Sequence, residues 1–200
     1  MDRYFKQCKL SIRVTFLWVI MGVLPLGLAA QSLKLDNAQS KLTVTGTSSL
    51  HDWEEVAEQK SGSLAMDQGG ENPLISSLSI AVEAESLKSG KSGMDKNTYK
   101  ALNTDKHKEI TFKLDQVKSI VANGSGHNLV AVGQLTISGK TNTVEIEMKL
   151  SGSGSGDHVT LKGSKVLKFT DFGLEPPKAL MGTIKTGDEI VVHFDTVWKK

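Results

Sequence analysis

The sequence predicts an all-β protein, and three observations carry that expectation. Apolar and polar residues alternate strictly in stretches such as Leu78–Glu83 (LSIAVE), Ile110–Asp115 (ITFKLD) and Val144–Lys149 (VEIEMK). Successive side chains of a strand point to opposite faces, so each stretch has one apolar and one wet face. Gly/Ser turn signals fall between such stretches, at Ser61-Gly62-Ser63, Ser89 to Gly93 and Ser151 to Gly156, where hairpin turns belong. Helical spacing is confined to one short segment. Eight short strands with frequent turns fit either a sandwich or an up-and-down barrel.

The elements follow in order. Strands are expected near 33–47, 50–67 and 74–86. Residues 93–103 then read as a short helix, because Met94, Thr98, Ala101 and Leu102 share one face. Ser92, with Asp95 three residues on, fits an N-cap pair. Further strands are expected near 109–121, 127–138, 143–152, 157–169 and 188–198. Asp171 to Gly187 carries Pro176-Pro177 and three glycines and reads as a long ordered loop, a length that usually serves function.

Residues 1–30 stand apart. Arg3, Lys6, Lys9 and Arg13 precede an apolar run from Val14, then Pro25 and the small-residue exit Gly27-Leu28-Ala29-Ala30. Basic, oily, small in that order is a secretory signal peptide, cleaved after Ala29 or Ala30. The alternative is a retained single-span anchor; the run, roughly 17 residues, is at the short limit for one. The domain organisation expected is therefore 1–30 as leader and 31–200 as one β-domain, periplasmic or secreted and not membrane-spanning. The only cysteine, Cys8, lies in the leader, so the exported chain forms no disulfide and must rely on its core. Residues 31–200 hold twenty lysines, no arginine and twenty-one acidic residues. They are interleaved, without the basic footprint of a nucleic-acid binder.

Catalytic constellations are thin. His51, His107, His127, His158 and His193 fall in different expected strands or turns, so no metal set forms on one element. His51-Asp52 is a close acid–imidazole pair, but adjacent strand residues point apart. Glu83/Glu85 and Glu145/Glu147 sit on wet faces, a solvated surface in place of a paired-carboxylate site. No nucleophile elbow or phosphate loop is present. Neither a catalytic set, a metal nor a cofactor is expected. An eight-stranded barrel has an interior that side chains can fill or that can hold one small ligand.

Several strings, taken jointly and in order, resemble the YceI-like family. They are Met94 to Leu114 (MDKNTYKALNTDKHKEITFKL), Gly133 to Val144 (GQLTISGKTNTV), Asp171 to Gly187 (DFGLEPPKALMGTIKTG) and Asp188 to Phe194 (DEIVVHF). Leu35-Asp36, Ser40 and Leu42 to Val44 extend the likeness to the start of the domain. Ser49 to Trp53 (SLHDW) and Glu175 to Gly187 (EPPKALMGTIKTG) are similar to exported members of the Bacteroidetes type. The resemblance implies an eight-stranded antiparallel lipocalin-like β-barrel, with one short helix between the third and fourth strands. It also implies a pocket for a polyisoprenoid, an isoprenoid quinone or a fatty-acid derivative. Two positions depart from many relatives: Lys108 replaces a proline, and Phe169 replaces a basic residue. The second departure implies a different or less polar ligand.

The function expected is an exported, non-enzymatic binder of a hydrophobic small molecule. The lining expected from strand faces is Leu78, Ile80 and Val82; Ile110, Phe112 and Leu114; Leu135; Val144, Ile146 and Met148; Leu161; and Val192 and Phe194. The resemblance places Met94, Tyr99, Phe172 and Met181 at the mouth; Ile137 completes the wall. Two rivals differ in class. An enzyme on a lipid-like substrate would need at least two of His51, Asp52 and Asp171 inside the pocket. An envelope interaction module would have a filled core and a large apolar outer patch. A homodimer stays open.

Overall fold

The computed structural model describes residues 31–67, 73–152 and 158–200. The expected leader at 1–30 and the middle of the Gly/Ser run near 153–157 lie outside the described residues. The strands are β1 (Gln31–Leu35), β2 (Lys41–Ser48), β3 (Trp53–Ala57), β4 (Lys60–Asp67), β5 (Leu74–Glu83) and β6 (Leu87–Lys88). The helix α1 (Ser92–Leu102) follows. Then come β7 (Glu109–Asn123), β8 (Gly126–Ile137), β9 (Lys140–Gly152), β10 (His158–Lys168), the short β11 (Lys178–Ala179) and β12 (Ile184–Lys199).

Every pairing is antiparallel, and neighbours in sequence are neighbours in space. β1 and β2 both pair with β12, and they pair with β4 and β3 respectively. They act as one bent stave, as do β3 with β4 and β5 with β6. The order then runs β5, β7, β8, β9, β10, β12 and returns to the first stave. The sheet is a closed barrel of eight staves, not a sandwich, and closure leaves no free sheet edge.

The two long strands expected at 33–47 and 50–67 are each broken in the middle. The polar turn Asp36–Ser40 causes the first break: the Asp36 carboxylate accepts from the amides of Ala38 at 3.0 Å and Gln39 at 3.1 Å. Such Asx geometry competes with strand pairing. Asn37 ties this bend to the second one, donating to the Glu58 carbonyl and accepting from the Lys60 amide. Lys60 is buried at 8% exposure and donates to the Ala57 and Asn37 carbonyls, which satisfies its charge where the barrel turns.

The two ends of the barrel differ. At one end Trp198, Leu33, Leu64, Met66, Leu129 and Leu161 are essentially without exposure and fill the interior. Trp198 lies against Gly62, where an added methyl would meet its ring at 2.9 Å. Its indole N–H donates to the Thr196 hydroxyl, which donates to the Leu161 carbonyl, so the plug leaves no polar atom unpaired. At the other end α1 and the segment 169–183 stand over the opening.

Helix α1 begins one residue earlier than expected. Lys91, in extended geometry, holds the N-cap position without a side-chain bond. The expected Ser92–Asp95 cap does not form, because Asp95 accepts from the Ser89 amide and hydroxyl. The helix ends at Asn103, which takes the left-handed conformation (φ 53°) common after a last turn. The expected loop at 171–187 is partly structured. Thr170–Phe172 forms a 3-10 turn, Lys178–Ala179 pairs with β12, and β12 starts at Ile184.

Candidate functional site: a cavity in the open half of the barrel

Above the Trp198 plug the barrel is hollow, with a cavity of about 500 Å³. Its wall is the inward face of the staves. Leu42 and Val44 come from β2, Leu78, Ile80 and Val82 from β5, Ile146 and Met148 from β9, and Ile190, Val192 and Phe194 from β12. The glycines of the wall explain how aromatic residues line a hollow. A methyl at Gly163 would meet Phe194 Cζ at 2.7 Å, one at Gly133 would meet Phe112 Cζ at 2.6 Å, and one at Gly46 would meet Trp53 at 2.3 Å. Each ring lies against a strand position with no side chain and so stays beside the wall.

Fourteen of the eighteen expected lining residues border this cavity: Leu78, Ile80, Val82, Met94, Ile110, Phe112, Leu135, Ile137, Ile146, Met148, Leu161, Phe172, Val192 and Phe194. Four do not. Val144 is buried in the packed core, and Leu114 packs on that core where β7 shifts register after it. Tyr99 turns toward the other side of α1: its hydroxyl donates to the Glu85 carbonyl and accepts from Lys88. Met181 is fully exposed, on a 3-10 turn where its own φ is 57°, and it does not border the cavity it was expected to close.

The mouth is built by α1 and the 169–183 segment. Met94, Asn97, Thr98 and Ala101 face the cavity at the i, i+3, i+4, i+7 spacing of one helical face. The 3-10 turn that carries Phe172 is anchored by Asp188, whose carboxylate accepts from the Thr170 amide at 3.0 Å and hydroxyl at 2.6 Å. Those hydrogen bonds hold the Asp188 carboxyl below its ordinary range. Asn142 adds a bond to the Asp171 carbonyl.

Two inward charged residues of the staves were absent from the expected lining. Glu55 on β3 is 2% exposed and accepts from the Thr98 hydroxyl of α1 at 2.5 Å. Burial pushes its carboxyl above the usual range; the Thr98 bond works against this, and nearby Asp95 adds to it. Lys165 on β10 also borders the cavity, in phase with the buried Leu161 and Leu167. The alternation could have found both. Glu55 shares its face with Trp53 and Ala57, but a charge in an apolar phase breaks the pattern that a strand reading follows.

Of the candidate acid–base set, only His51 borders the cavity; Asp52 and Asp171 are exposed and outside its wall. The His51 ring is engaged with the Asp52 carbonyl at 2.7 Å. Among the described residues no cluster of His, Cys, Asp or Glu is placed to hold a metal. No described helix is long and apolar enough to cross a membrane.

A closed eight-stave antiparallel barrel, plugged at one end and hollow at the other with a mainly apolar wall, is the architecture of a barrel that can enclose one small ligand. Sequence comparison specifies the family: the YceI-like domain model matches residues 33–198, and the chain belongs to that family. Protein YceI of Escherichia coli is 26% identical over 145 residues, covering 70% of this chain and 71% of its own length. Among solved structures, BcnA of Burkholderia cenocepacia has a TM-score of 0.66 at 19% identity, over 82% of this chain and 98% of BcnA. A domain from Saccharophagus degradans described as polyisoprenoid binding has a TM-score of 0.66 at 13% identity, over 85% and 98%.

Proposed function

We propose that the protein is an exported, non-enzymatic binder that holds an isoprenoid, a quinone or a fatty-acid-like amphiphile inside the barrel. The observation that carries this reading is the 500 Å³ cavity above a solid floor, which falls within the range of small-molecule pockets. An apolar chain placed there gains about 0.8 kcal/mol per buried methylene. Ten such groups leave a useful affinity after the cost of immobilising the ligand. The polyisoprenoid-binding description of the Saccharophagus domain supports the isoprenoid as the first class to test. In the same reading residues 1–30 are a signal peptide and 31–200 the periplasmic or secreted barrel, and His51, Asp52 and Asp171 have no shared catalytic task.

The test is mass spectrometry of the organic extract from protein purified from its native host. A long-chain amphiphile near one equivalent per chain is the expected result. Extract free of lipid, from protein that also fails to take up added polyprenol, would overturn the reading.

A further inference from the structure

The distribution of charge inside the barrel says what kind of head group the cavity takes. Residues 31–200 are close to charge balance, with twenty lysines and twenty-one acidic residues. The cavity wall is not balanced. Lys91, Lys165, Lys168 and Lys178 border it, and Glu55 is the only carboxylate that does so among the described residues. Lys168 pairs with Glu189 at 3.8 Å. No carboxylate among the described residues stands within ion-pair distance of Lys165.

Lys165 differs from the other three because it projects from the inner face of a stave. Strand register fixes its level. Lys165 lies opposite Val192, Val192 opposite Val44, and Val44 opposite Glu55. One row around the wall thus carries a cation at one end and a carboxyl at the other, three strand spacings or about 14 Å apart along the sheet. Glu55 is engaged by Thr98 and does not neutralise the lysine. Below this row the wall is aliphatic and aromatic down to Thr196, whose hydroxyl is already bonded. A lysine lays its stem along apolar surface and keeps its ammonium at the polar end, here the side of α1 and the mouth.

We propose that Lys165 is the specificity-determining residue of the cavity, pairing with the head group of an anionic amphiphile, a carboxylate or a phosphate, whose apolar tail runs down toward Trp198. This rests on the binding reading above. It sets aside the less polar ligand that Phe169 implies, because a cation is supplied four residues earlier, inside β10.

The test uses matched probes of one tail with different heads: hexadecanoate against hexadecanol, and farnesyl phosphate against farnesol, titrated into the purified protein by calorimetry. The expected result is at least tenfold tighter binding of the anion in one or both pairs; which pair shows it separates carboxylate from phosphate. Lys165→Met should erase the preference while leaving the alcohol bound, and Lys165→Arg should restore it. Lys162→Met, on the outward face where the lysine pairs with Asp195 at 3.0 Å, should leave the preference intact. Equal binding of anion and alcohol, or a preference that survives Lys165→Met, overturns the proposal while the binding reading stands. Failure of all four probes to bind overturns both.

Discussion

The floor and the open half of the barrel are made by the same staves, yet one is solid and the other hollow. β12 shows the contrast on a single strand. Trp198 and Thr196 have no exposure, whereas Phe194, Val192 and Ile190, on the same inward face, are only half-buried. In the floor a large ring is buried in one cluster with Leu33, Leu64 and Met66, and the interior fills. In the open half the rings of Phe112 and Phe194 lie against Gly133 and Gly163, and no side chain replaces them at the centre. A barrel of this size is therefore made solid or hollow by where its aromatic rings rest, more than by how many it has.

The largest expected effect is at the floor. Trp198→Ala removes the most voluminous fully buried side chain and the indole donor to Thr196; it should cost about 3–5 kcal/mol in urea unfolding. A loss below about 1 kcal/mol would mean that the floor carries little of the fold. A matched pair sharpens the comparison. Leu64→Ala in the floor should cost about 2–5 kcal/mol, since it opens a new void. Leu135→Ala in the hollow should cost nearer 1 kcal/mol, because space is already present and only part of the transfer energy is lost. Equal costs would contradict the division.

Glu55→Gln comes next, and its effect depends on pH. Burial holds the Glu55 carboxyl above its ordinary value, so the folded state binds the proton more tightly than the unfolded chain. Its contribution to stability is then fully present below the unfolded pKa and is lost as pH rises through the folded one. The amide keeps the acceptor for Thr98, so the variant should be the more stable protein at neutral pH. The difference should close in acid, below the ordinary range for a glutamate. Urea midpoints across pH measure it; a variant less stable at neutral pH would show that the fold favours the carboxylate. The smallest effect is expected at the mouth. Asp188→Asn weakens the anchor of the Thr170–Phe172 turn, and hydrogen exchange should show faster loss of the Thr170 amide with little change in global stability.

Much of this fold was legible because a closed antiparallel barrel writes a period of two into every stave. The alternation of Ile110 to Asp115 and of Val144 to Lys149 marks strand interiors, and the helical face of Met94, Thr98, Ala101 and Leu102 faces the cavity as its spacing implies. The bends at Asp36–Ser40 and between Ala57 and Lys60 were less visible, since a turn of polar residues can continue an alternating pattern without a gap. Tyr99 and Met181 could not be placed, because a helix side and a left-handed turn decide their direction. The hollow itself has no sequence signature: it depends on ring positions over Gly133 and Gly163, which only the register reveals. Lys165 and Glu55 are the opposite case, in phase with the apolar wall but charged.

The most direct measurement is an equilibrium titration of geranylgeraniol into the wild-type protein and into Leu135→Trp, with urea unfolding of both alongside. The indole should fill the hollow at the cost of some overpacking. The expected result is saturation at one molecule per wild-type chain and loss of binding in a variant that still folds cooperatively. Undiminished binding by the folded Leu135→Trp protein, or none by the wild type, would contradict the hollow upper barrel as the ligand site.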